Sequence, residues 1–255
     1  MLAKSRYCVA FDSDNPHKAS FLWGKFHRFA DYVKIESLYH EANANGFPIT
    51  DSLWNESDED RASVINDLKI HTTPEAAYRI SKTASRNLGT AMITIHIGGG
   101  EKMCKKILDG AREGRPPSSI TGTGIIYKPE RPKIIGITEL TTSDKNEKDY
   151  HKLVLERAEK GKDWGLDGFV CPINLVDELE NILGGGFTYL VPGMSWGGRH
   201  GIEQRKTYHP SEIMKVGKDS FPVGIAGSAI MDSEDKVKTA EEIYKSMLNF
   251  KSNLF

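Results

Sequence analysis

The stretch NDLKIHTTPEA (66–76) places an aspartate and a lysine, Asp67 and Lys69, two residues apart in a short segment that runs into a proline. Residues i and i+2 of an extended strand point to the same side, so we expect the carboxylate and the ammonium to lie together, each keeping the other charged. Such a pair at a strand end, before a proline that opens a helix, indicates a proton-handling site. An incidental ion pair at a solvent-exposed strand edge is the competing interpretation, because charge pairs are also common in purely structural positions.

Composition narrows the classes of protein to consider. The chain has 255 residues and a formal net charge of -1, which gives no general attraction to nucleic acid or to an anionic membrane. No apolar run is long enough to cross a bilayer, and the first residues leave no room for a signal peptide. Cys8, Cys104 and Cys171 are scattered and odd in number, which argues against a disulfide framework and a thiolate zinc site. We therefore expect a cytoplasmic protein with neither nucleic acid nor membrane as a partner.

Short apolar runs alternate with helix-length amphipathic stretches along the whole chain. The predicted strands are YCVAF (7–11), YVKI (32–35), SVINDL (63–68), AMITI (91–95), KIIGIT (133–138), GFVCP (168–172), TYLV (188–191) and PVGIA (222–226). Alternation of this kind is typical of a parallel sheet covered by helices. Eight units in this length predict the α/β class, with a single (β/α)8 TIM barrel domain over residues 1–255.

Two features qualify the barrel prediction. An open doubly wound sheet is the alternative, although no GxGxxG motif follows the first strand, which disfavours its dinucleotide-binding version. The stretches 42–62 and 109–132 have irregular patterns. The first is predicted to contain the end of a helix and an acidic surface loop, the second, rich in Gly, Pro and Ser, to be a loop, and neither to be a domain linker.

Polar residues follow the predicted strands where a barrel places its chemistry, at the carboxyl ends. They are Asp12, Lys34, Asp67, Lys69, His96, Thr138, Thr141, Pro192, Gly193, Gly227 and Ser228. Any one has a simpler explanation, such as a helix cap for Asp12 or a satisfied, partly buried histidine for His96. Their joint placement at one end of one fold predicts a functional site there.

The order of these motifs resembles the orotidine 5'-phosphate decarboxylase superfamily nearly from end to end. DLKIHTTP (67–74) is the most specific segment and matches the family's DLKxHDIP in order and spacing. The other matching segments are VAFDSDN, DYVKIE, ITIHIGGGEKM, GITELTTSD, GLDGFVCP, VPGM and GIEQRKTYHP. The resemblance implies a carboxy-lyase that forms UMP in pyrimidine nucleotide biosynthesis, with no metal or organic cofactor.

The resemblance also implies roles for residues of this chain. Lys69 would stabilise the carbanion left at C6 of the pyrimidine and then protonate it. Asp67 would hold Lys69 and disfavour the substrate carboxylate relative to the transition state. Lys34 would bind Asp67 and the ribose, Asp12 the ribose hydroxyls, and Thr141 the edge of the base.

Further residues would bind the rest of a nucleotide monophosphate. Backbone amides of Gly227 and Ser228 would hold the phosphate, and Arg199 and Gln204 would close over it. Thr72, His96, Pro192 and Gly193 complete the substrate-binding set. The resemblance also implies a homodimer with facing barrel mouths.

Two departures from the family pattern bear on activity. Thr72 stands where the family has a second aspartate that reaches the neighbouring subunit's site, and the nearest carboxylate, Glu75, lies one helical turn beyond. Ser228 stands where members usually carry an arginine, and Ser195 follows VPGM where another is usual.

Two alternatives stay open. A sister activity, such as a phosphosugar decarboxylase or a hexulose phosphate synthase of the aldolase type, would usually have glutamate at the position of Lys34, although Glu36 is close by. A degenerate barrel that binds a nucleotide or phosphosugar without turnover is consistent with Thr72 and Ser228.

Overall fold

The computed structural model describes residues 6–11, 15–36, 64–87, 89–115, 119–120, 126–127, 130–140, 146–199 and 206–252. Three predicted site residues, Asp12, Thr141 and Gln204, lie outside these ranges, as does the predicted loop at 42–62.

Eight parallel strands form a closed barrel, which confirms the predicted (β/α)8 architecture and rules out the open sheet. The barrel strands are β1 (Tyr7–Phe11), β2 (Tyr32–Ile35), β3 (Val64–Ile70), β4 (Thr90–His96), β7 (Lys133–Ile137), β8 (Gly168–Val170), β9 (Thr188–Val191) and β10 (Phe221–Ala226). Around the barrel they run β1, β10, β9, β8, β7, β4, β3, β2, and β2 pairs again with β1. Strand β9 therefore lies opposite β3, four strands away in either direction.

Helices alternate with these strands. They are α1 (Pro16–Phe26), α2 (Pro74–Ala84), α3 (Glu101–Gly114), α4 (Glu147–Asp163), α5 (Val176–Leu183), α6 (Ser228–Met231) and α7 (Lys236–Ser252). Short 3-10 turns cover Ile97–Gly99, Ile173–Leu175 and Pro210–Met214. Within the described ranges, none of the helices combines the length and apolar character needed to cross a membrane.

Side chains fill the inside of the barrel, while a larger apolar layer packs between strands and helices. The buried inner cluster comprises Cys8, Ala10, Ile65, Met92, Ile135, Leu190, Val223 and Ile225. Because side chains alternate along a strand, inward positions recur every second residue. Lys34 is paired in register with Ala10 and Ile65, and Asp67 and Thr94 lie two residues beyond Ile65 and Met92. The polar residues therefore stand on top of the inner apolar layer.

The prediction of a loop over 109–132 is partly wrong. Helix α3 continues to Gly114, and Ser119–Ile120 (β5) pairs antiparallel with Ile126–Tyr127 (β6). The glycines that suggest a loop instead allow close helix packing. A Cβ on Gly110 would lie 2.4 Å from the carbonyl oxygen of Tyr78, and one on Gly114 would lie closer still to that of Lys82. Both carbonyls belong to α2, so the two helices contact through their backbones.

Candidate active site

The end of β3 departs from a regular strand at the lysine of the motif. Lys69 has a φ of 47°, in the left-handed region that a side chain with a Cβ rarely adopts, and the pairing with β4 shifts register between Asn66 and Ile70. A conformation of this kind costs on the order of 1–3 kcal/mol and persists only where surrounding contacts hold it. The backbone N–H of Lys69 donates a hydrogen bond of 3.1 Å to Thr94 Oγ1, which supplies one such contact.

Asp67 is the buried centre of the charged cluster. Its Oδ2 accepts hydrogen bonds from Lys34 Nζ at 2.7 Å and from Lys69 Nζ at 3.0 Å. Its Oδ1 accepts a hydrogen bond of 2.6 Å from the hydroxyl of Thr94. The predicted contact between Asp67 and Lys69 is present, although the backbone between them is bent rather than extended. Three donors from three neighbouring strands thus fix one carboxylate.

The surroundings of Asp67 keep it ionised. Burial alone raises the pKa of its carboxyl group, but the positive charges of Lys34 and Lys69 and the hydrogen bonds from Lys34 and Thr94 outweigh burial. The result is a pKa of about 2 for Asp67. Asp67 therefore carries its negative charge at every pH where the protein is expected to work.

Lys69 contacts a second carboxylate that the sequence reasoning did not place in the site. Its Nζ lies 2.6 Å from Glu36 Oε2, while Lys34 Nζ lies 4.0 Å from the same oxygen. Glu36 follows β2 directly, and the register that pairs Ile35 with Asn66 brings it opposite Asp67. Among the described residues, the cluster thus joins two ammonium groups with two carboxylates.

Thr94 is the other site residue that was not predicted from the sequence. It lies two residues before His96 on β4, so the alternation of the strand places it on the inward side with His96. That spacing was the available signal, since a hydroxyl on an inward position of an apolar strand has to find a polar partner. For Glu36 the signal was its position two residues after Lys34.

His96 lies beside the charged cluster and is half-buried. Its ring centroid is 5.5 Å from that of His71, which follows β3. Burial lowers the pKa of His96, and the nearby His71 and Lys69 lower it further. A lowered pKa favours the neutral imidazole near pH 7, where one ring nitrogen donates a hydrogen bond and the other accepts one.

Neither Thr72 nor Glu75, the nearest carboxylate after it, belongs to the described charged cluster around Asp67. Thr72 is exposed in the described structure. Glu75 pairs with Lys106 of α3 at 3.0 Å, and both side chains are largely exposed. Glu75 thus does not compensate for Thr72 in this conformation, and the carboxylate next to Lys69 is that of Glu36.

The predicted phosphate side lies around the ends of β9 and β10. Gly193 follows Pro192 with a φ of 97°, and its carbonyl oxygen accepts a hydrogen bond from the backbone N–H of Tyr208. Gly227 precedes α6, and Ser228 is the first residue of that four-residue helix. The structure therefore places these four residues just after the two adjacent strands β9 and β10, away from β3.

Arg199 closes a tight hairpin turn after β9. Trp196 and Arg199 exchange two backbone hydrogen bonds, of 3.1 and 3.0 Å, across Gly197 and Gly198, whose φ values of 58° and 76° fit a turn that glycine favours. The indole N–H of Trp196 donates to Glu242 of α7 at 3.2 Å, which anchors the base of the hairpin. The exposed Arg199 thus follows a turn that Trp196 ties to α7.

Within the described ranges, no group of three or more His, Cys, Asp or Glu side chains is arranged to hold a metal ion.

Comparison with known proteins identifies the family to which the chain belongs. The model of the orotidine 5'-phosphate decarboxylase / HUMPS family matches residues 5–243. An orotidine 5'-phosphate decarboxylase from Nitratidesulfovibrio vulgaris is 31% identical over 174 residues, which are 65% of this chain and 69% of the relative. The corresponding protein from Vibrio campbellii is 29% identical over 192 residues, 72% of this chain and 76% of the relative.

Solved structures extend the likeness to the fold. The crystal structure of orotidine 5'-phosphate decarboxylase from Lactobacillus acidophilus superposes with a TM-score of 0.71 at 26% identity, over 94% of this chain and 98% of that one. An uncharacterised conserved protein from Geobacillus kaustophilus, at 21% identity and a TM-score of 0.68, shares the fold. With a family match over nearly the whole length, this chain belongs to the orotidine 5'-phosphate decarboxylase / HUMPS family.

Proposed function

We propose that the protein decarboxylates orotidine 5'-phosphate to UMP, with Lys69 as its central catalytic residue. The observation that carries the proposal is the anchoring of the Lys69 ammonium on Asp67, which Lys34 and Thr94 hold in turn. A fixed cation at the carboxyl ends of barrel strands is what a reaction that develops negative charge on carbon requires. Membership of a decarboxylase family supports the same reaction.

The chemistry follows from the charges. Cleavage of the bond between C6 and the carboxylate releases carbon dioxide and leaves the electron pair on C6. The Lys69 ammonium stabilises that pair and then gives a proton to C6, and solvent returns the proton to Lys69. The ionised Asp67 lies 3.0 Å from Lys69 and disfavours a substrate carboxylate beside it, so the repulsion is relieved as carbon dioxide forms.

The remaining roles concern substrate binding. Lys34 and Asp12 bind the ribose, and Thr141 the base edge. The phosphate lies on the Gly227 and Ser228 amides with Arg199 and Gln204 over it. The other substrate contacts are Thr72, His96, Pro192 and Gly193. The reaction serves pyrimidine nucleotide biosynthesis in the cytoplasm, in a single-domain chain that assembles as a homodimer and needs no cofactor.

An absorbance assay with purified protein and orotidine 5'-phosphate tests the proposal, with UMP identified chromatographically as the product. We expect turnover that a stoichiometric chelator does not reduce. Absence of UMP after prolonged incubation at high protein concentration would contradict it.

A barrel that binds a nucleotide without turnover is the second candidate, and the exposed Thr72 and the serine at position 228 are the observations that favour it. Thermal unfolding with UMP separates the two, because binding to the native state raises the melting temperature whether or not chemistry follows. A UMP-dependent rise without turnover of orotidine 5'-phosphate would establish the second candidate.

A further inference from the structure

We infer that Glu36 is a positioning residue of this site, which holds the Lys69 ammonium in place for its role in the proposed reaction. The inference deepens the proposed function and rests on it for the kinetic consequences. The contact on which it stands, 2.6 Å between Lys69 Nζ and Glu36 Oε2, is independent of that function.

The carboxylate of Asp67 is shared between the ammonium groups of Lys34 and Lys69. The same atom, Oδ2, accepts a hydrogen bond from Lys34 at 2.7 Å and from Lys69 at 3.0 Å, the longer of the two. Lys34 therefore competes with Lys69 for the same oxygen. Glu36 supplies a second carboxylate and makes the shorter contact with Lys69. Without Glu36, the described contacts would hold the Lys69 ammonium only through the oxygen that it shares with Lys34.

Burial distinguishes the two carboxylates. The side chain of Asp67 is 11% exposed and is fixed by three donors, whereas that of Glu36 is 48% exposed. Lys69, at 30%, lies between them. Asp67 therefore anchors the cluster from the barrel interior, and Glu36 holds the ammonium from the solvent side, where a ligand enters.

Other charged groups near Lys69 do not replace Glu36. On β2, Lys34 has the wrong sign, and on β4, His96 has a lowered pKa that favours its neutral form. His71 follows β3 and carries no negative charge. Glu75, on the helix after β3, is paired with Lys106. Within the described part of the chain, Glu36 is thus the carboxylate besides Asp67 that contacts Lys69.

The test compares Glu36→Gln and Glu36→Asp with the wild type. We expect Glu36→Gln to lower kcat by about tenfold or more, because a mobile ammonium is less well positioned to deliver its proton. KM should stay the same or fall, because a negative charge next to an anionic substrate has been removed. Glu36→Asp keeps the charge and should retain most of the wild-type kcat.

A matched control and a second readout separate this inference from the proposed function. Glu113→Gln removes a carboxylate from an exposed lysine pair on α3, with Lys82 at 2.9 Å, and should leave the kinetics unchanged. The 13C NMR signal of the Lys69 side chain at a fixed pH, assigned with Lys69→Ala, reports the surroundings of the ammonium and needs no turnover. A changed Lys69 signal in Glu36→Gln with an inactive wild type would overturn only the proposed function. An unchanged Lys69 signal with unchanged kcat in Glu36→Gln would overturn the role of Glu36.

Discussion

The two sides of the barrel mouth are built differently. At the ends of β2, β3 and β4, Asp67 links Lys34, Lys69 and Thr94 through contacts of 2.6 to 3.0 Å, on top of the packed barrel interior. At the ends of β9 and β10, the polar candidates that the structure describes are backbone groups and the exposed Arg199 on a hairpin turn. Among the described residues, the first side is thus formed by side chains that fix one another, and the second by backbone and loop.

The difference suggests a division of labour. Charged groups that fix one another supply an electrostatic field that is ready before the substrate arrives, as a chemical step requires. Backbone amides and a loop arginine suit the recognition of a remote phosphate, whose binding energy supports the chemistry at a distance. Under the proposed function, substitutions on the first side should chiefly change kcat, and those on the second side should chiefly change KM.

Replacement of Lys69 by alanine should have the largest effect. We expect kcat to fall by at least about a thousandfold, because one group supplies both the electrostatic stabilisation and the proton. Steady-state assays measure the loss, and circular dichroism should show an unchanged fold. Lys106→Ala removes an exposed lysine paired with Glu75 and serves as the control. Substantial residual activity in Lys69→Ala would mean that another group supplies the proton.

Asp67 should contribute a pH-dependent part of the free energy of unfolding. Its pKa is about 2 in the folded protein and near 3.8 in a free side chain, so the ionised form stabilises the native state above about pH 4. That contribution, about 2 kcal/mol, should be lost as the pH falls from about 4 to about 2. Urea unfolding of the wild type and Asp67→Asn should differ at neutral pH and converge in acid. Asp109→Asn, at an exposed pair with Arg112, should show no such convergence.

Substitutions on the phosphate side should change the affinity for the substrate. Arg199→Ala is expected to raise KM by about tenfold with little change in kcat, because an arginine–phosphate contact is lost. Ser228→Arg should lower KM, since it adds a guanidinium next to the Gly227 amide. Arg112→Ala, on the outer surface of α3, is the control. A KM that does not change in Arg199→Ala would leave Arg199 a solvated hairpin residue.

The smallest effect is expected at Thr72. Thr72→Asp returns a carboxylate to the motif and should raise kcat only about threefold, because Lys69 already contacts both Asp67 and Glu36. Thr73→Asp adds the same charge one residue later, at the N-cap of α2, and should stabilise the helix without changing turnover. A decrease in kcat for Thr72→Asp would show that an added charge disrupts the existing cluster.

The strand framework and the Asp67–Lys69 pair could be predicted because both depend on short-range patterns. Each predicted strand lies within two residues of an observed one, since a parallel barrel buries nearly continuous apolar runs. The loop prediction was wrong over 109–114 for a physical reason. Gly110 and Gly114 are residues typical of loops, but here they allow the close contact between α2 and α3. This contact can be recognised only once the position of the partner helix is known.

The contacts between the site residues could not be predicted from the sequence alone. The left-handed backbone of Lys69 accompanies a register shift between β3 and β4. No residue type in NDLKI predicts this backbone conformation. Glu36 depends on the register of β2 against β3 and on the reach of its side chain toward Lys69. Asp12, Thr141 and Gln204 lie outside the described residues, so their predicted roles stay predictions.

The division of labour is tested most directly by calorimetric titration of UMP into the wild type and into Lys69→Ala. UMP carries the phosphate, ribose and base but no carboxylate at C6, so it probes binding apart from the chemical step. We expect both proteins to bind UMP with dissociation constants within about threefold of each other, a difference of less than about 0.7 kcal/mol. Failure of the wild type to bind UMP, or a loss of affinity of more than about tenfold in Lys69→Ala, would contradict the division of labour.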